Sequence, residues 1–552
     1  MTFVIFYKKY KDLFWFSCYS EGMRKRTLTL TKILKMKKLI ILIALVFVEV
    51  VHSQNVIWEY VNNNNLTLGK SIAINSQNEI ISVGNCLLVS ACNEFIYTQK
   101  LSSQGDLIWE DSVSTNLPNN YHSTTWVGTD SEDNIIVVGY RYTLSGSNEV
   151  PNAIKVLKYS NTGNLIYNIT LDGVFGSGAN TNLGYKNKAE IDENNNLYIG
   201  AVGTTDINEP SGFLLLKFDT DGNLLWERRK VFTSIHGIRN MNYDNGKIAL
   251  TGVTTFSELN NAIAVWDASG TELWSINNGN TDQTWATDIV LDDSGNAYSL
   301  TQISGTTNLG IALVKYNSIG TVLFTATYFL DVDATSGRLK FLPNGNLVIT
   351  GTNWTISGLG KLYVAEVSTV DGSVVSESTH SLNQNNNWVY NVDVAQSGNY
   401  YVSGRSDNNG GAPAEMFLLA FSSINGFEWS TNYSAEGVLP IDFSLDADEQ
   451  LYAVINNKYA VVKFGNTLSN LSVDEFSNDN IKIYPNPVTD RLYFSNNELI
   501  KNISIFDLNG KQVLNKNIDF QYVDISTLKS GVYLVKIFLN NSSTYISKII
   551  VN

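Results

Sequence analysis

The chain has 552 residues, of which 43% are hydrophobic, 11% aromatic and only 16% charged, and its formal net charge is −14. The length admits several domains, or one large repeat domain with a smaller companion. Abundant Asn, Ser, Thr and Gly exclude a helical or disordered chain in favour of an all-β one with polar turns, and the acidic balance excludes nucleic acid as an expected partner.

Residues 1–35 share no pattern with the rest and are expected to be an upstream extension, with Met36 as the working start. From there MKKLIILIALVFVEVVHSQ reads as a secretory signal over 36–53. Lys37 and Lys38 form its charged start, 39–48 its apolar run, and Val51 and Ser53 the small residues of a cleavage site before Gln54. The run is too short to span a bilayer comfortably, so no transmembrane span is expected in the mature chain. Residues 1–53 hold 10 of the 38 basic and 3 of the 52 acidic residues, so the mature chain carries 28 and 49, a net charge of −21. Cys86 and Cys92 lie between the runs ISVGN and EFIYTQK. In an exported protein they are expected to form a short-range disulfide. Two Cys with no nearby His do not complete a metal shell.

Between Asn55 and Gly465 the chain repeats. One element reads KLSSQGDLIWE, KYSNTGNLIYN, KFDTDGNLLWE, VWDASGTELWS and KYNSIGTVLFT in turn, with weaker copies EVSTVDGSVVS and AFSSINGFEWS. A second element alternates with it: SEDNIIVVGY, DENNNLYIGAVG, DNGKIALTGVT, DDSGNAYSL, PNGNLVITGTN and QSGNYYVSGRS. Each is a pair of β-type runs around an Asn, Asp or Gly turn able to supply positive φ. The aromatic-position markers Trp58, Trp109, Tyr167, Trp226, Trp274, Phe324, Ser376 and Trp429 span 371 residues in seven steps, a mean of 53. Four short strands per repeat of this length predict a β-propeller over 54–466, eight-bladed, with seven blades as the alternative. NVIWEY at the start matches only the last strand of a unit, and YAVVKFG at the end lacks one. The two are expected to complete one shared blade and so close the ring.

GNLYIGAVGTT followed by FLLLKFDTDGNLLWE resembles bacterial β-propeller repeats of secreted proteins, and GNLLWE is similar to the repeats of quinoprotein dehydrogenases. The resemblance implies that Trp109, Trp226, Trp274 and Trp429 dock blades together. The quinone sites of that family use adjacent half-cystines and a calcium-bound acidic site. Cys86 and Cys92 are not adjacent and no such acidic set is evident, so no cofactor is expected. FDTDGN, which looks like the start of a calcium loop, has the counterparts YSNTGN and YNSIGT without the acids. It is expected to be a hairpin turn, and no metal site is expected.

The mature chain has three His (His122, His236, His380) and no HExxH, GxSxG or phosphate-cradling loop. Eleven residues before each second hairpin, near the channel mouth, stand Leu68, Ser123, Tyr185, His236, Trp285, Thr335, Trp388 and Leu439, with Trp126 close by. Tyr185, His236, Trp285, Trp388 and Trp126 are the candidate ligand-binding residues, suited to stacking on sugar rings or gripping a peptide. The competing expectation is that these rings wedge between blades.

After a polar linker at 467–479, residues 480–552 show short alternating strands and DLNGK and LKSG turns, predicting a small C-terminal β-sandwich. This tail resembles the C-terminal sorting domain of the type IX secretion system of Bacteroidetes. The resemblance rests on Tyr484, Pro485, Asn486 and Pro487, the FDLNG turn with Asp507 and Gly510, the run 528–536 with Gly531, and the final KIIV with Lys548. It implies export to the periplasm by the signal peptide, then passage across the outer membrane by engagement of the tail with the type IX machinery. The cargo would be secreted or held at the outer cell surface. The expected function is non-catalytic binding or adhesion to glycan or protein. The alternative is a secreted lyase or glycosidase on a propeller scaffold, with Asp/Glu or Tyr/His as acid and base.

Overall fold

The computed structural model describes residues 56–465 and 483–552, apart from 63–66, 87–94, 116, 146–147, 175–187, 204–211, 233–234, 255–260, 279–282, 305–308, 331–333, 354–359, 383–385, 408–413, 434–439, 457–458, 496–499, 508–510, 518–521 and 540–543. The signal peptide, the linker, Tyr185, Cys92 and Gly510 therefore lie outside the described residues. All elements of the described chain are β-strands, paired antiparallel within their sheets.

Eight sheets follow in chain order, spanning 67–114, 121–172, 188–231, 235–278, 283–328, 334–381, 386–433 and 440–464. The last has three strands of its own and is completed by Val56–Val61, which pairs with Ala460–Phe464 from Val56↔Phe464 to Val61↔Ala460. The first strand of each sheet contacts the sheets before and after it, and the eighth contacts the first, so the fold is a closed propeller. Cores lie between neighbours. Ile136, Val138, Ile154 and Val156 of the second sheet pack on Leu197, Ile199, Leu214 and Leu216 of the third. Tyr452, Val454 and Val461 of the eighth pack on Ile72, Ile80 and Tyr97 of the first. Second strands such as Ile135–Ser145 are continuous apolar runs at their start because both faces are covered. Fourth strands such as Leu107–Ser114 alternate between exposed and half-buried residues.

The two ends of the ring differ in construction. At the turn end, hairpins close on one side chain. Asp130 accepts from the amides of Glu132 and Asn134 at 3.0 and 2.9 Å, and Asp192, Asp219, Asp267 and Asp446 repeat this in their own turns. Asp219 is the first acid of FDTDGN, and it is used to cap its own turn. Gly163 in the turn after the second sheet's third strand has φ +88°, and a Cβ there would stand 2.8 Å from the Trp109 ring of the first sheet. Gly105 meets Trp58, Gly270 meets Trp226 and Gly320 meets Trp274 in the same way. The repeated Lys of the motif completes the joint: Lys100, Lys158, Lys217 and Lys315 each donate to a turn carbonyl of the next sheet. At the opposite, connection end lie the joins from second to third strand and from each sheet to the next, which differ in length from sheet to sheet.

In the tail, Ile483–Tyr484, Arg491–Phe494 and Tyr522–Asp524 form one sheet, and Gln512–Asn517, Ile500–Asp507, Gly531–Leu539 and Thr544–Val551 a second. Leu492, Phe494 and Val523 of the first share a core with Ile503, Ile505, Val535, Ile537 and Ile549 of the second. Asn486, between two prolines whose peptide bonds are both cis, donates to the Lys548 carbonyl at 2.9 Å and accepts from the Ile550 amide at 2.9 Å. Pro485 and Pro487 thus frame a side chain that substitutes for a strand partner. Tyr484 is exposed and stacks on Tyr493 with centroids 5.8 Å apart. The Asp507 carboxylate accepts the Lys511 amide at 3.0 Å across the FDLNG turn.

Candidate functional site

Each first strand runs from the connection end towards the axis, and most carry one extra residue on the way. The register shifts past Lys70, Thr125, Arg239, Thr287, Tyr390 and Ile441 in the first, second, fourth, fifth, seventh and eighth sheets. In the sixth the strand breaks at Gly337, and Arg338 resumes pairing with Thr350. A bulge bends its strand and re-aims the side chains beyond it. Because it recurs at one level, the residues beyond it form rings around the axis.

The ring just beyond the bulges holds Ser71, Trp126, Asn240, Asp288, Asn391 and Asp442, with Lys188 and Arg338 at the matching places of the third and sixth sheets. Two residues deeper lie Glu190, Asn242, Lys340 and Asp393. Three of the four acids are engaged between sheets. Asp288 accepts the Leu339 amide at 2.9 Å and the Asn240 side chain. Asp442 accepts Ser71 Oγ at 2.9 Å, and Asp393 accepts the Leu445 amide at 3.1 Å. Burial raises the carboxyls of Asp393 and Asp442 above the ordinary carboxylate range, against the pull of Lys340 on the first and of Ser71, then Lys188, on the second. Arg338 is also structural: its Nε and Nη1 donate to the bulge carbonyls of Tyr390 and Thr287 at 3.0 and 3.3 Å, one on either side.

The side chains of Lys188, Glu190, Arg239 and Lys340 make no hydrogen bond or ion pair among the described residues. The Lys188 ammonium is disfavoured first by burial and then by Arg338 of the sixth sheet, and is favoured by Asp442 of the eighth and Asp288 of the fifth. It therefore acts across the axis. Burial pushes the Glu190 carboxyl up to about 7, opposed by Lys340 and Lys188. Burial and the charge of Arg338 both lower the pKa of Arg239. Arg239 and Lys340 still present exposed surface, so the channel is walled by protein yet open to water, which moderates these shifts.

Trp388 stands two residues before the bulge of the seventh sheet, on its connection-end side. It is half-buried, pairs with Arg405 in register, and has that guanidinium 5.4 Å from its ring centroid. Arg405 pairs with Asp407 at 2.6 Å and hydrogen-bonds the Tyr390 hydroxyl, whose pKa burial raises and Arg405 lowers. Trp285 occupies the matching place in the fifth sheet, as its register with Gln302 shows. In the fourth sheet that place belongs to Gly237, because a second register shift falls at His236 itself. Trp126 lies deeper, just beyond its bulge. Its ring lies over Gly128, where any Cβ would collide with it, and packs on the core between the second and third sheets. Cys86 ends a strand of the first sheet.

No motif marks the charged rings, but two short signals do carry them. KAE at 188–190 and RLK at 338–340 each place two charges on one face of a strand in a chain with few charges. Among the described residues no group of three or more His, Cys, Asp and Glu is placed to hold a metal ion, and no helix is long and apolar enough to cross a membrane.

Residues 482–552 match the family model described as the secretion system C-terminal sorting domain. The tail is a type IX sorting domain, and the protein is secreted or displayed at the cell surface. No curated protein matches the chain in sequence. Among solved structures, the chain is similar to the Dos1 propeller, at 13% identity and a TM-score of 0.45 over 76% of this chain and 97% of that one. It is also similar to the WD40 β-propeller domain of Doa1, at 9% identity and a TM-score of 0.39 over 76% and 99%.

Proposed function

We propose that the exported propeller is a non-catalytic binding module that takes a glycan at the channel mouth on the connection end. The observation that carries this reading is the Trp388 cluster. A half-exposed indole, fixed by Arg405 and flanked by Tyr390 and Asp407, supplies a stacking face beside hydrogen-bonding groups. Sugar rings are held by that combination. Trp285 and His236, near the matching level of the fifth and fourth sheets, are proposed to share the mouth, whereas Trp126 packs on the core between the second and third sheets.

One observation favours catalysis instead. Glu190 is an unpartnered carboxyl in the channel, raised to about 7, as a general acid would be. Glycoside hydrolysis needs a second carboxyl, and Asp288, Asp393 and Asp442 are tied to amides or hydroxyls of neighbouring sheets. Binding is therefore the better supported reading.

The test is calorimetric titration of the secreted chain with a panel of neutral and acidic polysaccharides, with released reducing sugar measured in parallel. The expected result is binding without release, weakened about tenfold in Trp388→Ala. Release of sugar would establish the enzyme reading. Binding indifferent to Trp388→Ala would place the ligand elsewhere.

A further inference from the structure

The chain as a whole is acidic, with a net charge of −14, yet unpartnered cations are gathered in the channel. Arg239 of the fourth sheet stands at its bulge, and Lys188 of the third and Arg338 of the sixth at the level just beyond, close enough that the charge of Arg338 disfavours those of Lys188 and Arg239. Lys340 stands one level deeper. Asp442, Asp288 and Glu190 favour the Lys188 ammonium, but among the described residues Arg239 has no carboxylate acting on it, only burial and the charge of Arg338. Like charges held together in a confined site destabilise the fold unless a counter-charge joins them. The motif Lys at the turn end are placed differently, since Lys100, Lys158, Lys217 and Lys315 each have a carbonyl partner.

We propose that Lys188, Arg239 and Arg338 form a site for one anionic group, a carboxylate or sulfate, and that the ligand of the module is an acidic glycan presenting that group to the channel. The glycan half of this inference rests on the function proposed above, while the anion site stands by itself. Arg338 keeps its Nη2 available after tying down the two bulge carbonyls through Nε and Nη1. Its planar fork and the two unpartnered cations can surround an oxyanion approaching from the mouth. Trp388 at that mouth would hold the sugar ring that bears it.

The experiment uses the secreted chain with polygalacturonate, its methyl-esterified form and inorganic sulfate as separate probes. Lys188→Met and Arg239→Gln are the variants. Arg338 is left intact because its ties to Tyr390 and Thr287 hold the sheets, and unchanged melting temperatures check that the variants fold. The expected result is polygalacturonate binding at least tenfold tighter than the ester, weakened about tenfold by either variant and weakened by added salt. A sulfate-induced rise in melting temperature that both variants abolish, without polymer binding, would support the anion site and remove the glycan. Equal binding of acid and ester, unchanged in the variants, would overturn the anion site while leaving the glycan module standing. No response to polymer or to sulfate would overturn both.

Discussion

The turn end and the connection end of the ring are built from the same strands but solve different problems. At the turn end most hairpins are closed by one Asp, Asn or Ser, and an aromatic ring and a Lys from the preceding sheet settle on the neighbouring turn. This joint recurs around the ring with small variations, so its information is about stability. At the connection end the residues differ from sheet to sheet. The place of Trp388 is filled by Leu68, Ser123, Gly237 and Trp285 elsewhere. A closed ring needs uniform joints at one end and tolerates variety at the other, and binding specificity is free to develop where uniformity is not required.

The largest loss at the turn end is expected at Asp130. It caps its turn and pairs with Lys158 at 3.0 Å, both side chains being almost wholly buried. Asp130→Ala is expected to cost about 3–5 kcal/mol by stranding the Lys158 charge, read as a lower urea midpoint, with ligand affinity of the folded protein unchanged. Burial opposes ionisation of Asp130, but the bonds from Asn134 and Lys158 outweigh it and hold its pKa below 3.8. Its contribution is therefore present above pH 3.8 and is lost as pH falls through the lowered value.

Next in size is Gly163→Ala. The left-handed backbone and the Trp109 ring 2.8 Å from the new Cβ predict a loss of about 2 kcal/mol. The same substitution at Gly246, where a Cβ meets nothing within 4 Å, should cost only the backbone strain. Equal losses at the two sites would refute the docking role of Trp109. Trp388→Ala reverses the pattern: about tenfold in affinity, with a melting temperature close to the parent's because the ring is only half-buried.

The smallest effect concerns Glu190. Its folded-state pKa, raised by burial to about 7 from 4.5, means that protonation favours the fold. That stabilisation is complete below pH 4.5 and disappears as pH rises through 7. Glu190→Gln should gain melting temperature relative to the parent as pH rises through this window, and a difference that stays flat with pH would show that water in the channel removes the shift.

Much of the ring was legible because its signals repeat. The Asp, Asn and Gly turns recur at fixed offsets, the motif aromatics pack where a docking role requires, and NVIWEY pairs with the last strand as its half-match implies. The tail was legible through Asn486 and its flanking prolines. The motif Lys repeats as plainly, but nothing in its spacing says that it reaches a carbonyl of the next sheet. The channel was not legible, for two physical reasons. A bulge shifts the apolar alternation by one residue, as from Ile238 to Met241 or from Val389 to Val392, but in a strand this short that single step does not stand out from the sequence, and a second shift at His236 misaligns that residue with Trp388 by one. The rings beyond the bulges draw one unlike residue from each sheet, from Lys188 to Asp442, so no period connects them until the fold does.

Hydroxyl-radical footprinting of the secreted chain with and without bound acidic polymer tests the connection end as the binding face most directly, because both ends carry oxidisable reporters. Trp388 and Leu144 report on the connection end, while Ile319, Val370 and Ile424, exposed by 73%, 83% and 89%, report on the turn end. Binding at the connection end should protect Trp388 and Leu144 and none of the three turn-end side chains. Protection of Ile319, Val370 and Ile424 with Trp388 unchanged would contradict it and move the binding face to the end assigned here to stability.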